Sequence, residues 1–176
     1  MNKLFFSFFL FACLASAAPV SPYAGQEGRE IKALAADEIE GYLSGKGMGF
    51  AKAAELNGYP GPSHVMALAS ELALSPEQKR RTEALFRQME AEAIALGSRL
   101  IEQERILDQQ FAAKTVSNES LATLMKNIGE TQGQIRRAHL AAHLEQTSIL
   151  TSVQVVKYME MRGYSGTMSH NHQHMH

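Results

Sequence analysis

The stretch 74–78 reads LSPEQ, and the stretch 150–154 reads LTSVQ. In each stretch a hydroxyl residue is followed three positions later by glutamine, which is the pattern of a capping box at a helix N-terminus. Proline directly after the serine of the first stretch supports this, since proline is favoured at the first helical position. We therefore predict that one helix begins at Pro76 and another at Ser152.

Between the two boxes the chain contains no proline, and apolar residues recur at helical spacing in two stripes. The first stripe consists of Leu85, Met89, Leu96, Leu100, Leu107 and Phe111; the second, after Ser117, consists of Leu121, Met125, Ile128, Ile135, His139, Ala142 and Ile149. We expect the first helix to end near Ala113, and the helix that opens at the second box to stop at Gly163. Helices of about 30 to 38 residues are about 45 to 55 Å long. Joined by a short loop, they predict a long antiparallel hairpin.

The front half of the chain is irregular, since eight of the thirteen glycines lie between Gly25 and Gly61. Glycine and proline interrupt regular structure, so we expect only short helices here, at 30–43, 50–56 and 63–72. No segment alternates strongly enough to predict a strand. The predicted fold class is all-α, a long helical hairpin with short flanking helices.

The predicted hairpin carries more apolar surface than two helices bury between them. The surplus residues beside or off the stripes are Phe86, Ala93, Ile94, Ile101, Leu140 and Leu144. Either the front-half helices cover them or a second copy does, and we favour a homodimer.

The N-terminus has the pattern of a cleaved secretory signal. Lys3 precedes an apolar run from Leu4 to Leu14, and small residues follow, with cleavage expected after Ala17. An uncleaved anchor is disfavoured because the run is shorter than the roughly 20 residues a spanning helix needs. A lipidated Cys13 is disfavoured because Phe11 stands where such signals prefer a small residue.

The only cysteine, Cys13, would leave with the signal, which excludes disulfides and thiol chemistry in the mature chain. A net charge of −1 gives no support for nucleic-acid binding. We divide the chain into a signal peptide (1–17), a glycine-rich helical extension (18–73), a hairpin domain (74–163) and a disordered His/Met-rich tail (164–176).

The paired boxes in an exported helical protein resemble the LTxxQ motifs of the Spy/CpxP-like family of periplasmic helical proteins. The motif residues are Leu74, Ser75, Gln78, Leu150, Thr151 and Gln154, and the resemblance covers roughly 72–163. It implies a cradle-shaped homodimer in the periplasm. It also implies a role as an ATP-independent chaperone, a repressor of a stress pathway, or a metal sensor or binder.

The last nine residues, MSHNHQHMH, alternate four histidines with other residues and include two methionines. Imidazole and thioether groups suit zinc, nickel or copper, so His170, His172, His174 and His176 are candidate metal ligands; a solvated tail that binds metal weakly is the alternative. His139 and His143, four apart on a predicted helix, form a second candidate pair. For His139, packing on the apolar stripe is the competing interpretation.

No catalytic constellation is present. The segment 45–49, GKGMG, has the spacing of neither a P-loop nor a dinucleotide fingerprint, and we interpret it as a hinge. No G-x-S-x-G motif occurs, and Leu140 after His139 excludes the zinc-protease motif.

The leading hypothesis is a periplasmic, ATP-independent holdase of envelope stress that binds unfolded clients on an amphipathic helical face and requires no cofactor. A polar rim would come from Arg80, Arg81, Arg87, Arg99, Arg105, Arg136 and Arg137. The alternative hypothesis is a periplasmic sensor or resistance protein that binds zinc, nickel or copper. We expect no enzymatic activity, no nucleic-acid partner and no membrane span after signal cleavage.

Overall fold

A computed structural model describes residues 20–164, and within this range every regular element is a helix. The helices are α1 (Ala36–Leu43), α2 (Lys52–Glu55), α3 (Pro62–Ala67), α4 (Pro76–Ala112), α5 (Asn118–Ile149) and α6 (Ser152–Met161). The predicted signal peptide, at 1–17, and the predicted metal-binding tail histidines lie outside the described residues. No described helix is long and apolar enough to cross a membrane.

The hairpin of α4 and α5 begins and ends where the sequence predicts. Ser75 caps α4 by accepting a hydrogen bond from the Gln78 amide, and Thr151 caps α6 by accepting one from the Gln154 amide. Ser117 caps α5 in the same way, so α4, α5 and α6 each start at a hydroxyl residue. The predicted all-α hairpin is confirmed.

The two capping boxes also bond to each other across the end of the hairpin. The Gln78 side-chain amide donates to the Gln154 side-chain oxygen at 2.8 Å and to the Ile149 carbonyl at 2.9 Å. Gln154 donates to the Leu72 carbonyl at 3.1 Å. Each glutamine therefore completes its own capping box and also donates to a backbone carbonyl far away in the sequence.

Beneath the boxes lies a small apolar cluster. Leu74 and Leu150, the leucines of the two boxes, are buried together with Val65, Leu72, Tyr158 and Met159. The motif residues therefore hold α3, α4 and α6 together at one end of the hairpin.

Both predicted stripes are buried along most of their length, but their residues at the far tip of the hairpin are exposed. Leu96, Leu100, Ile128 and Ile135 form the central core. Phe111, at the tip, is 55% exposed, and Met125 is exposed as well. These apolar side chains at the tip therefore face solvent.

The front half covers one face of the hairpin. The predicted helix at 30–43 starts later, at Ala36, where the Glu38 carboxylate accepts a hydrogen bond from the Ala35 amide. Ile31 and Leu34 lie in the turns before it and are buried against Ile101 of α4. The front half thus covers Ile101 of the surplus apolar surface of α4, while Phe86 and Ile94 are only partly buried.

We call the front half of the described chain, residues 20–73, the cover. It packs closely on the hairpin where α1 crosses α4. A Cβ atom on Gly97 would lie 2.5 Å from the Tyr42 carbonyl oxygen, a backbone atom that cannot move aside easily. Glycine at this position therefore allows the C-terminal end of α1 to contact the α4 backbone. Leu144 of α5, by contrast, stays exposed, and a second copy that would cover it remains a prediction.

Candidate functional site

Two cavities lie back to back across the helix pair. We call the first the covered cavity: it has a volume of about 560 Å³ and lies between the front half and the hairpin. The second, the open groove, has a volume of about 460 Å³ and is lined only by α4 and α5. Met89 and Ala142 line both, so the two cavities share a floor.

The open groove has an apolar floor and a charged rim. Its floor consists of Ala84, Leu85, Met89, Ala138, Ala141, Ala142 and Ile149, and its rim of Arg80, Arg81, Gln88, Glu92 and Glu145. Small alanines make the floor shallow and leave room for side chains of a bound molecule. Such a surface suits an apolar segment flanked by charges.

Ion pairs cross the rim of the open groove. Arg81 lies 3.7 Å from Glu145, and Arg137 lies 3.2 Å from Glu92; each pair joins α4 to α5. Exposed pairs of this kind contribute about 0.2–1 kcal/mol. Their charges are therefore available for exchange with those of a bound molecule.

One predicted rim arginine has a different role. Arg105 lies on the covered side, where it pairs with Glu102 and, at 3.3 Å, with Glu30 of the front half. It ties the cover to α4. Of the seven predicted rim arginines, Arg80 and Arg81 line the open groove and Arg137 pairs with Glu92 of its rim, whereas Arg87, Arg99, Arg105 and Arg136 do not line it.

In the covered cavity a single carboxylate joins four helices. Glu55 of α2 is 8% exposed, and its Oε1 accepts hydrogen bonds from the Tyr158 hydroxyl at 2.7 Å and from Arg162 Nε at 3.3 Å. His64 Nδ1 of α3 and His143 Nδ1 of α5 each lie 3.7 Å from one of its two oxygens. Burial, together with the bond to Glu55, raises the pKa of Tyr158, so the hydroxyl stays protonated and donates.

The second Glu55 oxygen, Oε2, is buried and has no hydrogen-bond partner among the described residues. A buried carboxylate oxygen without a donor is costly. Glu55 was not predicted as a functional residue, because its local sequence indicates only a short helix.

His139 lies deep under the cover. It is 5% exposed and stacks on Phe50 with ring centroids 5.7 Å apart, and its Nε2 has no partner among the described residues. Burial and then the nearby His143 lower the pKa of His139, so its ring is neutral at neutral pH. The competing interpretation of His139, as a packed residue of the apolar stripe, describes its position.

His143 faces the backbone of the turn at 59–61. Its Nδ1 lies 2.7 Å from the Tyr59 carbonyl oxygen and therefore donates a proton to it. A Cβ on Gly61 would approach the other ring nitrogen to 2.9 Å, so glycine is needed for this close contact.

The two histidines of the predicted metal pair lie in one cavity but have separate partners. His139 and His143 line the same cavity, but each ring is held by its own neighbours. Within residues 20–164 no group of three or more His, Cys, Asp or Glu side chains is placed to hold a metal ion. The four tail histidines lie outside the described range, and metal binding by them stays a prediction.

The segment 45–49 forms a tight turn at the edge of the covered cavity. Gly45 and Gly49 have positive φ angles, and a Cβ on Gly45 would lie 3.1 Å from the Glu90 carbonyl oxygen. The glycines allow the turn and its close approach to α4, and the hinge stays a prediction.

Comparison of the chain with protein-family models, with curated proteins and with solved structures gives no match in any of the three.

Proposed function

We propose that this protein is an exported, ATP-independent holdase, and that the open groove of α4 and α5 is its client-binding surface. The observation that carries the proposal is the contrast between the two faces of one hairpin. The chain's own front half closes one face, while the other keeps an apolar floor between arginines and glutamates.

The chemistry of the groove fits unfolded segments of many sequences. Burial of apolar client side chains on the alanine-rich floor supplies a non-directional driving force. The rim carries both signs of charge, with Arg81 opposite Glu145, so it can pair with acidic or basic client residues. Neither the apolar burial nor the charge pairing requires one particular client sequence.

Exposed apolar side chains toward the hairpin tip lie outside the open groove and would offer clients a second apolar contact. Ile106, Phe111 and Met125 are all exposed there. In a homodimer, which we also propose, two such hairpins would present a larger apolar area than one. The proposed activity involves no catalysis and no cofactor, and its proposed compartment is the periplasm.

Light scattering of an aggregating client tests the proposal. The mature chain ending at Tyr164, in EDTA, should suppress the aggregation at a near-stoichiometric ratio. Ala141→Glu should weaken this suppression at least about tenfold, because burying an unpaired carboxylate against an apolar client costs more than about 1.4 kcal/mol.

Ala67→Glu is the matched control, since Ala67 is also an exposed helical alanine but lies on α3 of the cover. It should suppress aggregation as well as the unmodified chain. Absence of suppression by the unmodified chain would refute the holdase proposal. Equal losses in both variants would refute the groove as the binding surface.

A further inference from the structure

A third concave surface lies where the cover meets α5, and we call it the side groove. One of its walls comes from residues 42–57 of the cover and the other from α5 between Gly129 and Arg136. Its volume is about 900 Å³, within the range of about 300–1,000 Å³ that is usual for small-molecule sites. It shares no lining residue with the open groove, so what it binds does not depend on the proposed holdase function.

The wall that the cover contributes is apolar and partly open to solvent. Met48 and Leu56 line it and are 41% and 51% exposed. The rings of Tyr42 and Phe50, with centroids 6.2 Å apart, line it as well. One exposed apolar side chain is ordinary on a protein surface, but several around one concave surface indicate a binding site.

The α5 wall of the side groove lacks side chains at two positions. Gly129 and Gly133 lie one helical turn apart on the same face of α5. A Cβ atom on either glycine would have no neighbouring atom of the described chain within 4 Å. Packing within the described chain therefore does not require glycine here, and the space beside α5 is open to a bound molecule.

The charged side chains of the side groove are all positive. Lys52 and Arg136 line it, whereas no described aspartate or glutamate does. Neither cation forms an ion pair with a carboxylate within residues 20–164. The rim of the open groove, by contrast, carries both signs of charge. Charge complementarity therefore favours an anionic ligand in the side groove.

The apolar wall and the cations are arranged for a ligand with two different ends. Arg136 follows Gly133 by one turn on the same face of α5, so a chain lying along the glycines can bring an anionic end group to this guanidinium. We propose that the side groove binds a fatty acid. Its hydrocarbon chain would lie against Met48 and Leu56, and its carboxylate would accept hydrogen bonds from Arg136 and Lys52.

A fatty acid fits the side groove better than an acidic peptide segment does. An extended peptide would bring backbone N–H and C=O groups against Met48 and Leu56. The backbone groups of the α5 helix interior already bond within the helix, so those of the peptide would lack partners there. A hydrocarbon chain carries no such groups and loses nothing on leaving water.

Calorimetric titration of the full mature chain with sodium decanoate, kept below its micelle concentration, tests the proposal. We expect one decanoate per chain. Gly133→Leu should weaken binding at least about tenfold, because the added side chain fills the space beside α5. Arg136→Gln should weaken it about threefold, because it removes one exposed cation. Decyl maltoside has the same hydrocarbon chain but an uncharged head, so Arg136→Gln should not change its affinity.

Two matched variants serve as controls. Gln134→Leu adds the same side chain at an exposed position of α5 that does not line the side groove. Arg99→Gln removes an exposed arginine of α4 that does not line it either. Both should bind decanoate as the unmodified chain does. Circular dichroism establishes that each variant is folded.

Four results would overturn the proposal. The first is a lack of decanoate binding by the unmodified chain, and the second is equal affinity in Gly133→Leu and Gln134→Leu. The third is equally tight binding of sodium acetate, because the site would then recognise an anion alone. The fourth is a loss of decanoate binding in Ala141→Glu but not in Gly133→Leu, because decanoate would then occupy the open groove.

Discussion

The two faces of the α4–α5 hairpin are formed by the same helices, but the front half of the chain packs on one face and leaves the other open. On the covered face Gly97 lies under Tyr42, and Glu55 joins four helices through one carboxylate. On the open face the side chains are small alanines and exposed ion pairs that contribute little stability. A two-helix layer has to bury its surplus apolar surface, and this chain uses its own front half on one side only. Substitutions on the covered face should therefore change stability, and those on the open face should change binding.

The largest expected effect is at Ile31, which is fully buried between the front half and α4. Ile31→Ala should lower the free energy of unfolding by about 2–5 kcal/mol, because it removes buried methylenes and leaves a cavity. Urea denaturation followed by circular dichroism measures the change. Leu56→Ala, at an exposed residue of the same front half, should change it by less than about 0.5 kcal/mol. Similar losses in both would mean that the cover is not docked as described.

A pair of helix glycines sharpens the comparison. Gly97→Ala should destabilise by about 1–3 kcal/mol, because the added Cβ meets the Tyr42 carbonyl. Gly133→Ala, at a position of α5 with open space around it, should stabilise by about 0.5–1 kcal/mol through helix propensity. Thermal unfolding of the two variants gives both signs in one experiment. A stabilising Gly97→Ala would contradict the close crossing of α1 and α4.

The covered face should also be sensitive to acid. Burial lowers the pKa of His139 in the folded chain, so the unfolded chain binds more protons as the pH falls below the ordinary histidine value of about 6.5. The stability contributed by neutral His139 is complete above that value and is lost as the pH falls toward the folded pKa. The slope for one proton is at most about 1.4 kcal/mol per pH unit.

Urea denaturation at a series of pH values between about 7.5 and 5.5, one unit either side of the ordinary histidine pKa, measures this slope. His139→Gln should flatten the curve in that range. An unchanged slope in the variant would assign the acid sensitivity to other groups.

The smallest effect on stability is expected on the open face. Ala141→Glu places a charge at an exposed position, so the free energy of unfolding should change by less than about 0.5 kcal/mol. Thermal unfolding checks this. A large loss of stability would mean that the open groove is packed in solution and is not free for a client.

The sequence predicted what local rules determine. Ser75, Ser117 and Thr151 each start a helix because a hydroxyl cap acts within three residues. The two stripes predicted which sides of α4 and α5 meet. The bond between Gln78 and Gln154 joins residues 76 positions apart, and capping rules contain no information about it. The repetition of the box, once before α4 and once after α5, was the available signal.

Local rules could not predict most of the contacts in the covered cavity. Glu55 and His64 lie in short helices among glycines, and no local pattern shows that both approach α5 and α6. His139 and His143 were identified from their spacing, yet spacing could not show that one ring stacks on Phe50 and the other bonds to the Tyr59 carbonyl. Long-range packing decides these contacts, and the front half carries no periodicity that predicts it.

Site-specific photo-crosslinking tests the central claim, that clients bind the open groove, most directly. Benzoylphenylalanine placed at Ala141 in one variant and at Ala67 in another would be irradiated with a permanently unfolded probe, reduced and carboxymethylated α-lactalbumin. The account predicts crosslinked product from position 141 and little from position 67. Equal yields, or a higher yield from position 67, would contradict it.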